Sequence, residues 1–184
     1  MNLPNFLTIL RLLFPLFVVI IFYIPLNNYL EKLIILIIFL ILSLTDFLDG
    51  YLARKLNLLT NFGKIFDPVS DKVLTSAALV YILTFNSNIL IPTLLIITRE
   101  FVVSGNREYM TYNSGKNLNV LKLSKFKTAF QFLSITLFLA NEIMINFINL
   151  LNIANFCLWI TCILTIYTGI QYSYNVYLAS NKRK

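Results

Sequence analysis

The chain has 184 residues, of which 58% are hydrophobic and only 12% charged, with a formal net charge of +7. That composition is too apolar for a soluble domain and leaves room for several membrane spans of about 20 residues each. Histidine is absent, which excludes zinc deaminase and zinc protease chemistry and any histidine general base.

Backbone polar groups in lipid must be paired within their own segment, so long apolar runs read as helices rather than sheet. The runs 12–26, 33–53, 66–85, 89–108, 128–147 and 153–178 predict an all-α integral membrane protein with six transmembrane helices. A short N-terminal interfacial helix is expected before them, and residues 1–184 are expected to form a single membrane domain. No polar n-region with a small-residue cleavage site precedes the first run, so it is expected to stay in the mature protein. Pro4 favours a helix start, and Asn5, Thr8 and Arg11 fall three apart on one polar stripe. The residues leave two roles open for this stripe: an anchor in which Arg11 meets lipid phosphate, or a contact to a nucleotide or its diphosphate. Pro15 and Pro25 are expected to bend and end the first span.

The second run ends in Asp46-Phe-Leu-Asp49-Gly50-Tyr-Leu-Ala53-Arg54, and eight residues later comes Gly63-Lys-Ile-Phe-Asp67-Pro-Val-Ser-Asp71. These stretches hold four of the eight acidic residues of the chain. Aspartates three apart (46, 49) and four apart (67, 71) project from one face of a helix. Two such faces joined by a short loop place four carboxylates around one small volume. At membrane depth they would repel each other unless cations joined them. Hard oxygen ligands suit Mg²⁺, Mn²⁺ or Ca²⁺ rather than zinc, and the reading is a divalent-metal site of two ions. Pro68 is expected in the first turn of its helix, with Asp67 in or just before that turn. Gly50 and Ala53 are small enough for close helix packing or for a flat base or ribose. Arg54 is placed to pair with Asp46, with Asp49 or with a substrate phosphate.

Asn86-Ser87-Asn88 reads as an outer turn, and the fourth run carries Thr98-Arg99-Glu100-Phe-Val-Val-Ser104-Gly105-Asn106-Arg107. Charged residues inside a span face a cavity or each other. Arg99 and Arg107 lie about 12 Å apart by helical rise, nearly on one face. The polar stretch 109–124 is expected to be a loop, leading to Ser124-Lys125-Phe126-Lys127-Thr128 at the start of the fifth span. Lys125 and Lys127 serve equally as ordinary flank charges or as phosphate ligands. The last two spans read as scaffold with little polarity beyond Glu142, Thr161, Thr165 and Gln171. Cys157 and Cys162 point to different helix faces and read as packing residues. Six spans put Arg11, the cations of 54–64 and of 107–127, and Lys182-Arg183-Lys184 on one side. Only Lys32 falls on the other, so both termini and the aspartates are expected at the cytoplasmic face of the plasma membrane. Cations gathered at span ends, with no soluble domain to carry a groove, exclude nucleic-acid binding.

The aspartate stretch resembles the signature of the CDP-alcohol phosphotransferases, D-x-x-D-G-x-x-A-R, eight residues, G-x-x-x-D-x-x-x-D. Every defined position is met, by Asp46, Asp49, Gly50, Ala53, Arg54, Gly63, Asp67 and Asp71. The run from Arg99 to Arg107 resembles the R-E-F-x-V-S-G-x-R stretch of the phosphatidylglycerophosphate synthases within that family. The run from Ser124 to Thr128 resembles their G-K-x-K-T, with Ser124 where they have glycine. The N-terminal stripe is similar too, which favours its nucleotide role. The resemblance implies a membrane enzyme that moves a phosphatidyl group from CDP-diacylglycerol to sn-glycerol 3-phosphate and releases CMP. It implies Asp46, Asp49 and Asp67 as metal ligands, with Asp71 as general base that also touches metal. Asn5, Thr8, Gly50, Ala53, Arg54 and Gly63, together with Asp46, Asp49 and Asp67, would bind the CDP donor. Arg99, Arg107, Lys125 and Lys127 would hold the acceptor phosphate, and the enzyme would be a homodimer among membrane lipids. Phosphatidylserine, phosphatidylinositol-phosphate or cardiolipin synthesis are the alternatives within the family. A divalent-cation transporter is the alternative outside it, but that wants polar residues along the outer halves of the spans, which here are nearly all apolar.

Overall fold

The computed structural model describes the backbone of residues 3–55, 61–114, 122–144 and 150–181. It describes their side chains except at 3–4, 46–55, 61, 64, 113–114, 122 and 179–181. Among the described residues all regular structure is helical: α1 (Leu3–Leu12), α2 (Phe14–Tyr23), α3 (Asn28–Lys55), α4 (Asn61–Ile82), α5 (Leu90–Ser114), α6 (Lys122–Asn141) and α7 (Leu150–Asn181). A single 3₁₀ turn, Ser87–Ile89, leads into α5.

The stretches Asn28–Thr45, Ser87–Tyr112 and Leu150–Leu178 are long and apolar enough to cross a membrane. The pair α1 and α2, bent by 43° at Leu13, makes a fourth candidate. Helices α4 and α6, of 22 and 20 residues, have a suitable length but carry charges: Lys64, Asp67, Asp71 and Lys72 in one, Lys122, Lys125 and Lys127 in the other. Asp67, Asp71, Lys125 and Lys127 among them belong to the motifs, so the segments with the most chemistry look least like spans.

Local chemistry accounts for most helix ends. Asn27 accepts a bond from the Leu30 N–H at 2.8 Å and so caps α3. At the end of α2, Ile24 is extended (φ −74°, ψ 134°) because Pro25 follows it and disfavours the helical region. The bend expected from Pro15 falls at Leu13, since Pro15 is tolerated in the first turn of α2. Two expectations are corrected. Pro68 lies inside α4 rather than in its first turn, because the helix begins at Asn61, where Phe62 and Phe66 stack one turn apart with centroids at 4.5 Å. Residues 109–114 and 122–124 of the expected loop are helical: α5 continues to Ser114, with no glycine or proline among 109–114 and with Met110 buried, and α6 begins at Lys122.

The chain divides into two compact units. Unit 1 comprises Met1–Asn86 and Ile135–Leu151, in which α1 and α2 pack on α3 and α4. Leu74, Ala78 and Ile82 recur every four residues along α4 and are buried, as are Phe14 of α2 and Phe39 of α3, whose rings meet at 6.2 Å. Ser70 continues that stripe toward the aspartates. Unit 2 comprises Ser87–Ser134 and Asn152–Lys184. Its buried residues include Ile96 and Val103 of α5 and Ala154, Cys157, Leu158 and Cys162 of α7. Both cysteines are free, as their packing role requires.

Candidate active site

In unit 1 the polar stripe of α1 meets the acidic face of α4. Thr8, buried, donates its hydroxyl to Asp67 Oδ1 at 2.5 Å. Arg11 is 1% exposed, and its Nη1 donates to Asp71 Oδ1 at 2.9 Å and to Ser70 Oγ at 3.4 Å. Ser70 in turn donates to the Asp67 carbonyl at 2.9 Å. Residues three apart on one helix thus grip residues four apart on another, which holds the two carboxylates at fixed rotation. Asp67 is half-buried, and the Asp71 side chain keeps 40% of its surface exposed, so a ligand can still reach it. Gly63 is buried on the same helix.

Asp46, Asp49, Gly50, Ala53 and Arg54 lie on the last turns of α3, and their side chains are outside the described residues. α3 contacts both α1 and α4. The donor set suits a hard divalent cation. The Thr8 bond uses one oxygen of Asp67 and, being neutral, leaves the carboxylate charge intact for a metal. Arg11 is the residue whose role sequence reasoning underassigned. It stands on the expected stripe, but its burial against Asp71 depends on how α1 is rotated over α4.

Unit 2 holds a second polar cluster. Glu100 pairs with Lys127, which is buried, and lies 3.8 Å from Arg99 Nη1. Arg99 Nη2 donates to Thr168 Oγ1 at 2.6 Å, and Arg107 Nη2 donates to the Tyr172 hydroxyl at 3.2 Å. Both guanidinium carbons lie over the Tyr172 ring, 5.9 Å and 5.1 Å from its centroid. Of the four expected acceptor cations, Arg99, Arg107 and Lys127 therefore gather in one cluster, whereas Lys125 is exposed. Ser124 sits in regular helix, accepting from Thr128 at 3.0 Å, so the missing glycine costs no special backbone conformation. Thr168 and Tyr172 were missed in a span that reads as scaffold. A signal existed: Thr161, Thr165, Thr168 and Tyr172 recur at four, three and four residues and are all buried, a polar stripe along an apolar helix.

Apolar helices of membrane-spanning length with two carboxylates held by α1 define a membrane protein with an acidic polar site. The chain belongs to the CDP-alcohol phosphatidyltransferase family, whose profile matches residues 1–167. Its relatives narrow the family further. It is 40% identical over 171 residues to the CDP-diacylglycerol–glycerol-3-phosphate 3-phosphatidyltransferase of Rickettsia typhi, covering 93% of this chain and 94% of that protein. The protein of the same name from Haemophilus influenzae is 39% identical over 175 residues, 93% of this chain and 91% of that one. That of Bacillus subtilis is 38% identical over 136 residues, covering 74% and 69%.

Proposed function

We propose that the protein transfers the phosphatidyl group of CDP-diacylglycerol to sn-glycerol 3-phosphate, yielding phosphatidylglycerophosphate and CMP. The observation that carries this reading is the near-full-length similarity to proteins bearing that activity in their names, joined to a complete aspartate motif. Asp46, Asp49, Asp67 and Asp71 would hold the metal, Mg²⁺ or Mn²⁺ and two ions by our reading. When bound, it neutralises the donor diphosphate and the leaving CMP. Asn5, Thr8, Gly50, Ala53, Arg54 and Gly63 line the CDP moiety. Thr8 also keeps Asp67 oriented through its hydroxyl.

Asp71 takes the proton of the acceptor hydroxyl as that oxygen bonds to phosphorus and the bond to the CMP oxygen breaks. Arg11 holds Asp71 in place until then. Arg99, Arg107, Lys125 and Lys127 supply the cations that a phosphorylated acceptor needs, guanidinium offering paired hydrogen bonds to phosphate. Six spans in one domain, an N-terminal helix at the interface, both termini and the site at the cytoplasmic face of the plasma membrane, and a homodimer complete the proposal.

The test is purified protein with CDP-diacylglycerol, Mg²⁺ and a panel of acceptors, with CMP measured. Glycerol 3-phosphate is expected to be preferred over serine, inositol phosphate and phosphatidylglycerol. Preference for any of those three would overturn the acceptor assignment.

A further inference from the structure

Arg99, Arg107 and Lys127 stand in one cluster of unit 2 with the Glu100 carboxylate. Glu100 is occupied by Lys127 and is only at 3.8 Å from Arg99. Among the described residues Arg107 has no ion pair. The buried Arg99 and the half-buried Arg107 would repel one another, yet both guanidiniums lie over one ring, whose π face attracts each of them. The Tyr172 hydroxyl accepts from Arg107, and the Thr168 hydroxyl one turn earlier accepts from Arg99. Gly169 leaves the passage for the Arg99 stem: a Cβ there would sit 2.8 Å from Arg99 Cγ and 3.2 Å from its Nε. The Nε atoms of both arginines are buried without a hydrogen-bond partner.

We infer that Tyr172 is a positioning residue which joins Arg99 and Arg107 into one receptor for the phosphate of the acceptor; this rests on the function proposed above. Tyr172 and Thr168 each engage a terminal Nη2, while the Nε–H of both arginines is left without a partner, so each guanidinium keeps hydrogen-bonding capacity for an oxyanion. The ring holds the two cations ready before an anion arrives, so less ordering is needed at binding.

The experiment uses the full-length enzyme in detergent with Tyr172→Phe, Tyr172→Leu and Gly169→Ala. Tyr172→Leu removes ring and hydroxyl and is expected to raise the KM for glycerol 3-phosphate roughly tenfold or more, Tyr172→Phe about threefold. Gly169→Ala displaces Arg99 and is expected to act in the same direction. The KM for CDP-diacylglycerol should stay near that of the wild type, and inhibition by inorganic phosphate should weaken in parallel with acceptor affinity. An unchanged acceptor KM, or an equal rise in both KM values, would overturn the inference by leaving Tyr172 a structural role only. Should Tyr172→Leu fail to fold, Tyr172→Phe, which keeps the ring and nearly the same volume, decides alone. A wild type that prefers an unphosphorylated alcohol would instead overturn the proposed function, and this inference with it. A wild type that uses glycerol 3-phosphate while the variants leave its KM unmoved overturns the inference alone.

Discussion

Asp67 and Asp71 are one turn apart, yet α1 treats them differently. A neutral hydroxyl meets the first and a guanidinium meets the second. The hydroxyl orients a carboxylate without cancelling its charge, as a metal ligand needs. The guanidinium fixes the position of a carboxylate, as the proton acceptor proposed above needs before the reaction begins. Thr8→Ala is therefore predicted to raise the Mg²⁺ concentration for half-maximal CMP release roughly tenfold, the worth of a hydrogen bond to a charged group. The rate at saturating Mg²⁺ should remain close to wild type, and a metal dependence that does not move would count against the arrangement. Asp71→Asn keeps an acceptor for Arg11 but loses the base proposed above, so turnover should drop about 10²–10⁴-fold. CDP-diacylglycerol binding should survive better in Asp71→Asn than in Asp67→Asn. Equal losses of donor affinity in the two would show that they share one role.

Helix α3 links two ends with different tasks. Its last turns carry Asp46 and Asp49, while its first turns are tied down by polar contacts. Tyr81 of α4 donates to Glu31 at 2.8 Å, and Lys32 pairs with Glu142 at 2.5 Å while lying 4.7 Å from the Phe85 ring centroid. Lys32 stands about 21 Å from Asp46 along the helix, by a rise of about 1.5 Å per residue. This lock joins α3, α4 and the residue after α6 within unit 1, and it acts on stability rather than on chemistry. Lys32→Met would leave Glu142, 28% exposed, without its cation. We predict a loss of about 1–2 kcal/mol, read as a lower thermal midpoint in detergent, with unchanged KM values for both substrates. A fall in turnover without a fall in the midpoint would contradict this. Lys32 and Glu142 were visible in the sequence only as stray charges, because their partners are separated by 110 residues.

At the scale of the molecule the cations flank the apolar stretches and the aspartates stand where those stretches end. Chelation with EDTA is expected to abolish CMP release, and added Mg²⁺ or Mn²⁺ to restore it. Activity that persists under thorough chelation would remove the metal from the mechanism. The charge asymmetry predicts that reporters at either terminus are labelled only from the cytoplasmic side of sealed vesicles. Labelling of one terminus from the outside would break the even span count.

Helical class, the positions of most apolar stretches and the aspartate motif were legible in the sequence. Each depends on length, period or spacing within a single segment, and lipid forces the backbone to satisfy itself locally. The apolar runs 66–85 and 128–147 marked α4 and α6 but missed their charged first turns, and Pro68 misled about where α4 begins. What only the tertiary structure decided is which side chains meet. Thr8 reaches across 59 residues to Asp67, Arg11 across 60 to Asp71, and Arg107 across 65 to Tyr172. Those partners depend on how each helix is rotated about its axis and on where neighbours cross, which no local pattern encodes. Tyr172 is one of ten tyrosines in the chain, and nothing along α7 alone distinguishes it until two arginines of α5 are found lying over its ring.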